Sequence, residues 1–131
     1  MKKTGLLNSE ISYLISRLGH TDTIVISDAG LPIPKGVQRI DLALVPGKPS
    51  FIEVLDGVLM EMKVEKVTIA TEMKQQNPDL YKIITEKFKD IEIEEVSHTE
   101  FKNQTAKAQA VIRTGEFKPF ANIILQAGVV F

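Results

Sequence analysis

Gly19-His20-Thr21-Asp22-Thr23-Ile24-Val25-Ile26-Ser27-Asp28-Ala29-Gly30-Leu31-Pro32-Ile33-Pro34 is the stretch from which the fold can be read. Its centre, Thr23 to Ser27, is a short β-branched run without alternation, the pattern of a strand covered on both faces. A helix precedes it. Asn8 and Ser9 offer caps, and Ile11, Leu14, Ile15 and Leu18 recur at the spacing of one buried helical stripe. Gly19 suits the left-handed position just past that helix. Behind the strand, Gly30 to Gly36 reads as a loop, because Pro32 and Pro34 remove backbone donors and fix φ.

Working outward, Ile40 to Val45 reads as a second strand. Pro49 opens a helix that carries Phe51, Val54, Leu55, Val58, Leu59 and Met62 at helical spacing. Val64 to Ala70 is strand-like, and Asn77-Pro78-Asp79 starts a helix with Leu80, Ile83, Ile84 and Phe88 inward. Ile91, Ile93 and Val96 alternate with acids, as on an edge strand. His98 to Ala108 is a short helix or helical loop; Ala110 to Arg113 and Asn122 to Gln126 are late strands. The alternation of helices and strands predicts an α/β protein, a three-layer α/β/α sandwich forming one domain over residues 1–131. Thr114 to Ala121 is too short for a helical crossover, so the last strand returns antiparallel and the sheet is mixed, mostly parallel.

Composition removes several function classes. The chain has no cysteine, so disulfides, thiolate nucleophiles and zinc-thiolate sites drop out. Its 16 Lys and Arg nearly balance 17 Asp and Glu, which gives no basic surplus for nucleic acid. The basic start Met1-Lys2-Lys3 is interrupted by Asn8-Ser9-Glu10 before any apolar region of useful length, and no run approaches a membrane span. A cytoplasmic protein with no membrane and no nucleic-acid partner is expected. The apolar end Ala127-Gly128-Val129-Val130-Phe131 either caps the core or forms a subunit interface.

Candidate chemistry is sparse. His20 and His98 are the two histidines, the side chains that titrate near neutral pH. His20 follows a helix C-terminus, whose partial negative charge favours a protonated ring; that is a structural reason for its place, and it also keeps a proton available. Asp28 follows a buried strand, where α/β proteins bind ligands, and equally suits a turn before Ala29-Gly30. Asp22, at the strand's start, reads as a turn cap. His98 and Lys102 are spaced to share a helix face, and Arg113 fits an exposed ion pair. His20, His98 and Asp28 lack close metal-ligand spacing, and no phosphate-cradling glycine loop or Gly-x-Ser-x-Gly elbow occurs. Neither metal nor cofactor is expected; what is left is proton transfer and hydrogen bonding.

Nearly end to end, the sequence resembles the ribose pyranase and fucose mutarotase family of sugar-binding proteins. Gly19-His20-Thr21-Asp22, Ser27 to Pro34, Val96-Ser97-His98, Arg113-Thr114-Gly115-Glu116 and Pro119 to Leu125 carry the resemblance. It implies an isomerase that interconverts the pyranose and furanose forms of D-ribose, with His20 as proton donor. Asp28, His98 and Phe120-Ala121-Asn122 would contact the sugar; the family often has Tyr where this chain has Phe120. It also implies a ring-shaped homo-oligomer, a decamer, with sites between subunits. The alternative is a non-catalytic sugar-binding accessory of a ribose transport system. A geometrical demand follows. If residues 21 to 27 are extended at about 3.3 Å each, His20 and Asp28 lie roughly 20 Å apart. Either the Gly19–Thr23 segment folds back, or neighbouring subunits complete the site, with Phe120 to Asn122 contributed across an interface.

Overall fold

A computed structural model describes residues 1–131. In chain order the elements are α1 (Ser9–Ser16), β1 (Thr23–Ser27), β2 (Gln38–Asp41), α2 (Phe51–Leu59), β3 (Val64–Ala70), α3 (Met73–Gln76), α4 (Pro78–Lys87), β4 (Glu92–Val96), α5 (His98–Thr105), β5 (Ala110–Arg113) and β6 (Ile123–Ala127). The six strands form one sheet in the order β2-β5-β1-β6-β3-β4. β1 is parallel to β5, β5 to β2, and β3 to β4; β6 runs antiparallel between β1 and β3. The sheet is therefore mixed and mostly parallel, as expected.

Alternation along each strand divides the core in two. Ile24, Ile26, Ile112, Ile123, Leu125, Val67 and Ile69 face a large cluster with residues of α1, α2 and α4. Val25, Val111 and Ile124 face the other way, onto Phe101 of α5 and Leu31 of the proline loop. β1 is covered on both faces, which explains its unbroken apolar run. Helices flank both faces but unequally, with a thick layer on one side and α5 with a loop on the other.

Local chemistry sets the helix starts. Asn8 caps α1 by accepting the Ile11 amide at 2.9 Å. Ser50 and Glu53 form a reciprocal capping box on α2, so Pro49 lies one residue outside the cap, where it was expected to open the helix. Pro78 occupies the first turn of α4 as predicted. Ile83, expected inward, is 39% exposed, since Leu80, Ile84 and Phe88 already fill the buried stripe.

Three other expectations change. β2 ends at Asp41 because its partner β5 ends at Arg113; residues 42–45 leave the sheet and close a turn in which Leu44 N donates to Lys48 O. The left-handed residue after α1 is Thr21 (φ 71), and Gly19 is not in that region. Asp22 N donates to Gly19 O and Asp22 Oδ2 accepts Gly19 N at 2.8 Å, so residues 19–22 close a turn whose third position requires positive φ, as in type II turns. Phe131 is fully exposed and caps no core within the chain. No helix is long and apolar enough to cross a membrane.

Candidate functional site

All the parallel strands finish on one edge of the sheet, and polar residues converge there. Asp28 follows β1, Glu72 follows β3, His98 follows β4 and Thr114 follows β5. β6 runs the opposite way, so Asn122, just before its first residue, arrives at the same edge. Strand ends of this kind are where α/β proteins bind ligands.

Asp28 is both turn former and cleft wall. Its Oδ1 accepts the amides of Gly30 (2.9 Å) and Leu31 (2.8 Å). Its Oδ2 accepts Asn122 Nδ2 at 2.9 Å, and its own amide donates to Asn122 Oδ1 at 2.9 Å. Asn122 is 1% exposed and spends its polar atoms on this reciprocal pair. Thr114 N and Oγ1 both donate to Ser27 O, at 3.0 and 2.7 Å, which fixes the end of β1. Arg113 donates to Ala29 O and to both oxygens of Asp41 at 3.1 Å, the ion pair expected of it. Burial pushes the Asp41 carboxyl up, yet the Ala43 amide and the Arg113 guanidinium outweigh it and hold the group below its usual range.

His98 opens α5 behind the cap Ser97. Its amide donates to Glu72 Oε2 at 2.9 Å. The Thr71 hydroxyl, opposed by burial and seconded by the His98 amide, keeps the Glu72 carboxyl below the usual range. The imidazole stacks on Phe101 at 6.3 Å and meets Phe120 edge-on at 5.0 Å. His98 Nδ1 is buried without a hydrogen-bond partner. Such an atom costs about 1–3 kcal/mol, so the ring stands in need of a hydrogen-bond partner.

Phe120 has φ 55, a conformation disfavoured for a bulky side chain. Two bonds hold the bend: Asn122 N donates to Phe120 O (2.9 Å), and Asn77 Nδ2 donates to Pro119 O (3.0 Å). Ala121 is buried beneath it. Asp28, Leu31, Pro32, His98, Phe120 and Asn122 line a cleft of about 280 Å³. Pockets for drug-sized ligands begin near roughly 300 Å³, so this one has room for a small molecule. A neighbouring depression of about 350 Å³ shares Asp28 and leads to Arg113 and Lys118. Lys102 is exposed and does not line the cleft.

His20 lies at the opposite edge. Its Nε2 is 2.9 Å from Glu65 Oε2, and Gln126 Nε2 donates to Glu65 Oε1 at 2.7 Å. Gln126 first, then His20, hold the Glu65 carboxyl below its usual range against a small desolvation. Glu65 is the extra residue of a β-bulge, because Val64 pairs with Ala127 while Lys66 pairs with Gln126. Gly128 accommodates the bulge, since a Cβ there would come within 3.0 Å of Glu65 Cβ. Asp22 caps its turn as read from the sequence.

The structure thus brings Asp28, His98, Phe120, Ala121 and Asn122 together within one chain and leaves His20 at the far end. The segment 19–22 does turn, but at the wrong edge to reach Asp28. The expectation that Phe120 to Asn122 cross an interface changes accordingly: against Asp28 and His98 no boundary intervenes, and the separation is from His20. Glu65, Gln126, Glu72 and Asn77 escaped the sequence reading. A lone acid beside an apolar strand start is the only signal Glu65 gives.

The sequence model of the RbsD / FucU transport protein family matches residues 1–130. A curated relative from Bacillus cytotoxicus, a D-ribose pyranase, is 56% identical over 100% of both chains. The structure of Bacillus subtilis RbsD complexed with D-ribose is similar to this chain at TM-score 0.97 and 54% identity, covering 100% of each. The fucose mutarotase of Streptococcus pneumoniae, solved with L-fucose, shares the fold at TM-score 0.84 and 23% identity, covering 99% of this chain and 100% of that one.

Proposed function

The chain belongs to the RbsD / FucU transport protein family, and from that premise we propose that it is a D-ribose pyranase, an isomerase that interconverts the pyranose and furanose forms of the sugar. The observation that carries the reading is full-length likeness to a relative solved with D-ribose, joined to a small-molecule cleft walled by Asp28, His98 and Asn122.

Ring opening is proton bookkeeping. The bond from the anomeric carbon to the ring oxygen breaks, its electron pair stays on that oxygen, and the oxygen takes a proton. The anomeric hydroxyl loses one to solvent water and becomes the aldehyde carbonyl. Reclosure on a different hydroxyl reverses both transfers. His20 is assigned as the donor to the ring oxygen; Asp28, His98, Phe120, Ala121 and Asn122 hold the sugar. Acid–base help of this kind supplies about 10²–10⁴-fold, enough for a reaction that already proceeds unaided. Phe120 offers an aromatic face and no hydroxyl.

Because donor and cleft sit at opposite edges, the site is assembled between subunits. The contact is heterologous, the His20 edge of one copy meeting the cleft edge of the next, and such contacts form a ring when the rotation between copies closes. Exposed Leu44, Phe117, Val130 and Phe131 supply apolar surface for it. The reading includes a ring-shaped decamer, one mutarotase domain per chain over residues 1–131, and a cytoplasmic location.

The family's description as transport proteins favours a second reading, a non-catalytic sugar-binding accessory. Saturation-transfer NMR on ribose separates the two. The enzyme speeds exchange between pyranose and furanose signals, and a binder leaves the rate at its uncatalysed value.

A further inference from the structure

We propose that Glu65, held by Gln126, is a positioning residue that fixes which nitrogen of His20 exchanges protons with the sugar. The inference rests on His20 being the proton donor.

The argument starts from the bulge. A regular strand would alternate Glu65 away from its neighbour Lys66; the extra residue breaks that alternation and turns the carboxylate toward His20 and Gln126. Bulges are a recurrent way of re-aiming a side chain beside a functional site. Glu65 then makes two short contacts at once, 2.7 Å from the Gln126 amide and 2.9 Å to His20 Nε2. Gln126 sits in β6, inside the sheet, so the carboxylate is anchored to a rigid element. An ionised carboxylate only accepts, so the proton between Glu65 and His20 belongs to Nε2.

The consequence falls on the other nitrogen. In the imidazolium both nitrogens carry a proton, and with Nε2–H engaged by Glu65 the one free to leave is on Nδ1. After it passes to the ring oxygen, the remaining proton stays on Nε2. Nδ1 is then a bare acceptor, ready to take a proton back as the ring recloses. Without Glu65 the neutral ring samples both tautomers, and one of them presents the wrong partner for reclosure.

Glu65→Ala is expected to slow ribose ring exchange roughly ten-fold, the usual cost of removing a group that orients a working histidine, with ribose affinity unchanged. The nitrogen-15 spectrum of His20 is expected to pass from the Nε2–H tautomer to a mixture. Glu65→Gln keeps an acceptor oxygen and restores both rate and tautomer, with the Gln126 amide turned over. Gln126→Ala, which leaves the carboxylate in place but unheld, gives an intermediate rate and serves if Glu65→Ala does not fold. A wild-type rate in both Glu65→Ala and Gln126→Ala beside an inactive His20→Ala overturns the proposal and leaves the donor reading standing. Full activity in His20→Ala removes both. Loss of affinity equal to the loss of rate makes Glu65 merely structural and also overturns it.

Discussion

The two edges of the sheet are built on opposite principles. At the cleft edge, the carboxylates and the Asn122 side-chain amide are committed to one another and to backbone groups: Asp28 to Asn122, Gly30 and Leu31, Glu72 to the His98 amide. At the other edge, His20 leans on Glu65 at the surface, with its side chain 53% exposed. The first arrangement is rigid, concave and suited to recognition. The second is accessible and, in the proposed reading, supplies the proton. The two sets of polar residues lie at opposite ends of the same strands, and the proposed assembly between subunits is what would bring them together.

The largest expected effect tests the division of labour directly. His20→Ala should abolish the acid–base acceleration of about 10²–10⁴-fold while leaving ribose affinity intact, read by exchange NMR and calorimetry on the same sample. Activity that survives would mean the exposed edge does no chemistry. Asn122→Ala attacks the other edge. It strands the Asp28 amide and costs about 1–3 kcal/mol of stability by urea unfolding, with ribose binding lost in parallel. Undiminished binding would show that the Asp28–Asn122 pair is scaffold and not recognition.

Acid should weaken both edges. Glu65 and Glu72 sit below their ordinary value of 4.5, so the stability they contribute is present above that pH and is lost as pH falls through their lower folded values. Melting temperature should therefore drop on acidification below 4.5. Glu72→Gln should flatten that slope and weaken ribose binding, whereas Glu65→Gln should flatten it with binding unchanged. Identical behaviour of the two variants would erase the distinction between the edges. The smallest effect comes from the two left-handed residues. Thr21→Gly relieves about 1–2 kcal/mol of backbone strain but adds about 0.5–1 kcal/mol of unfolded-chain entropy, so it should be neutral to slightly stabilising. Phe120→Gly also forfeits the aromatic contact with His98 and should destabilise the cleft.

Sequence reading was strong where one element decides its own fate. The unbroken apolar run of β1, Pro78 at the start of α4 and the short return before β6 each state a local physical requirement. It failed where the outcome belongs to a partner. β2 stops at Asp41 because β5 stops, and nothing in Leu42 to Val45 announces that. Thr21 takes the conformation expected of Gly19 because Asp22 closes the turn one step later. In the site, Asp28 and His98 stand out by residue type and position. Glu65 and Gln126 meet across 61 residues, and Glu72 reaches the His98 amide across 26, so their pairing is written in the sheet register and not in any local motif.

The single antiparallel strand ties these edges to a common fate. β6 begins beside Asn122, which pairs with Asp28, and ends beside Gln126, which holds Glu65. Four residues apart, the two lie on the same side of the strand, and a shift of one residue would turn both away together. Loss or gain of one residue within Ile123–Ala127 would put Asn122 and Gln126 on opposite faces, so that the pairing with Asp28 and the pairing with Glu65 could not both survive.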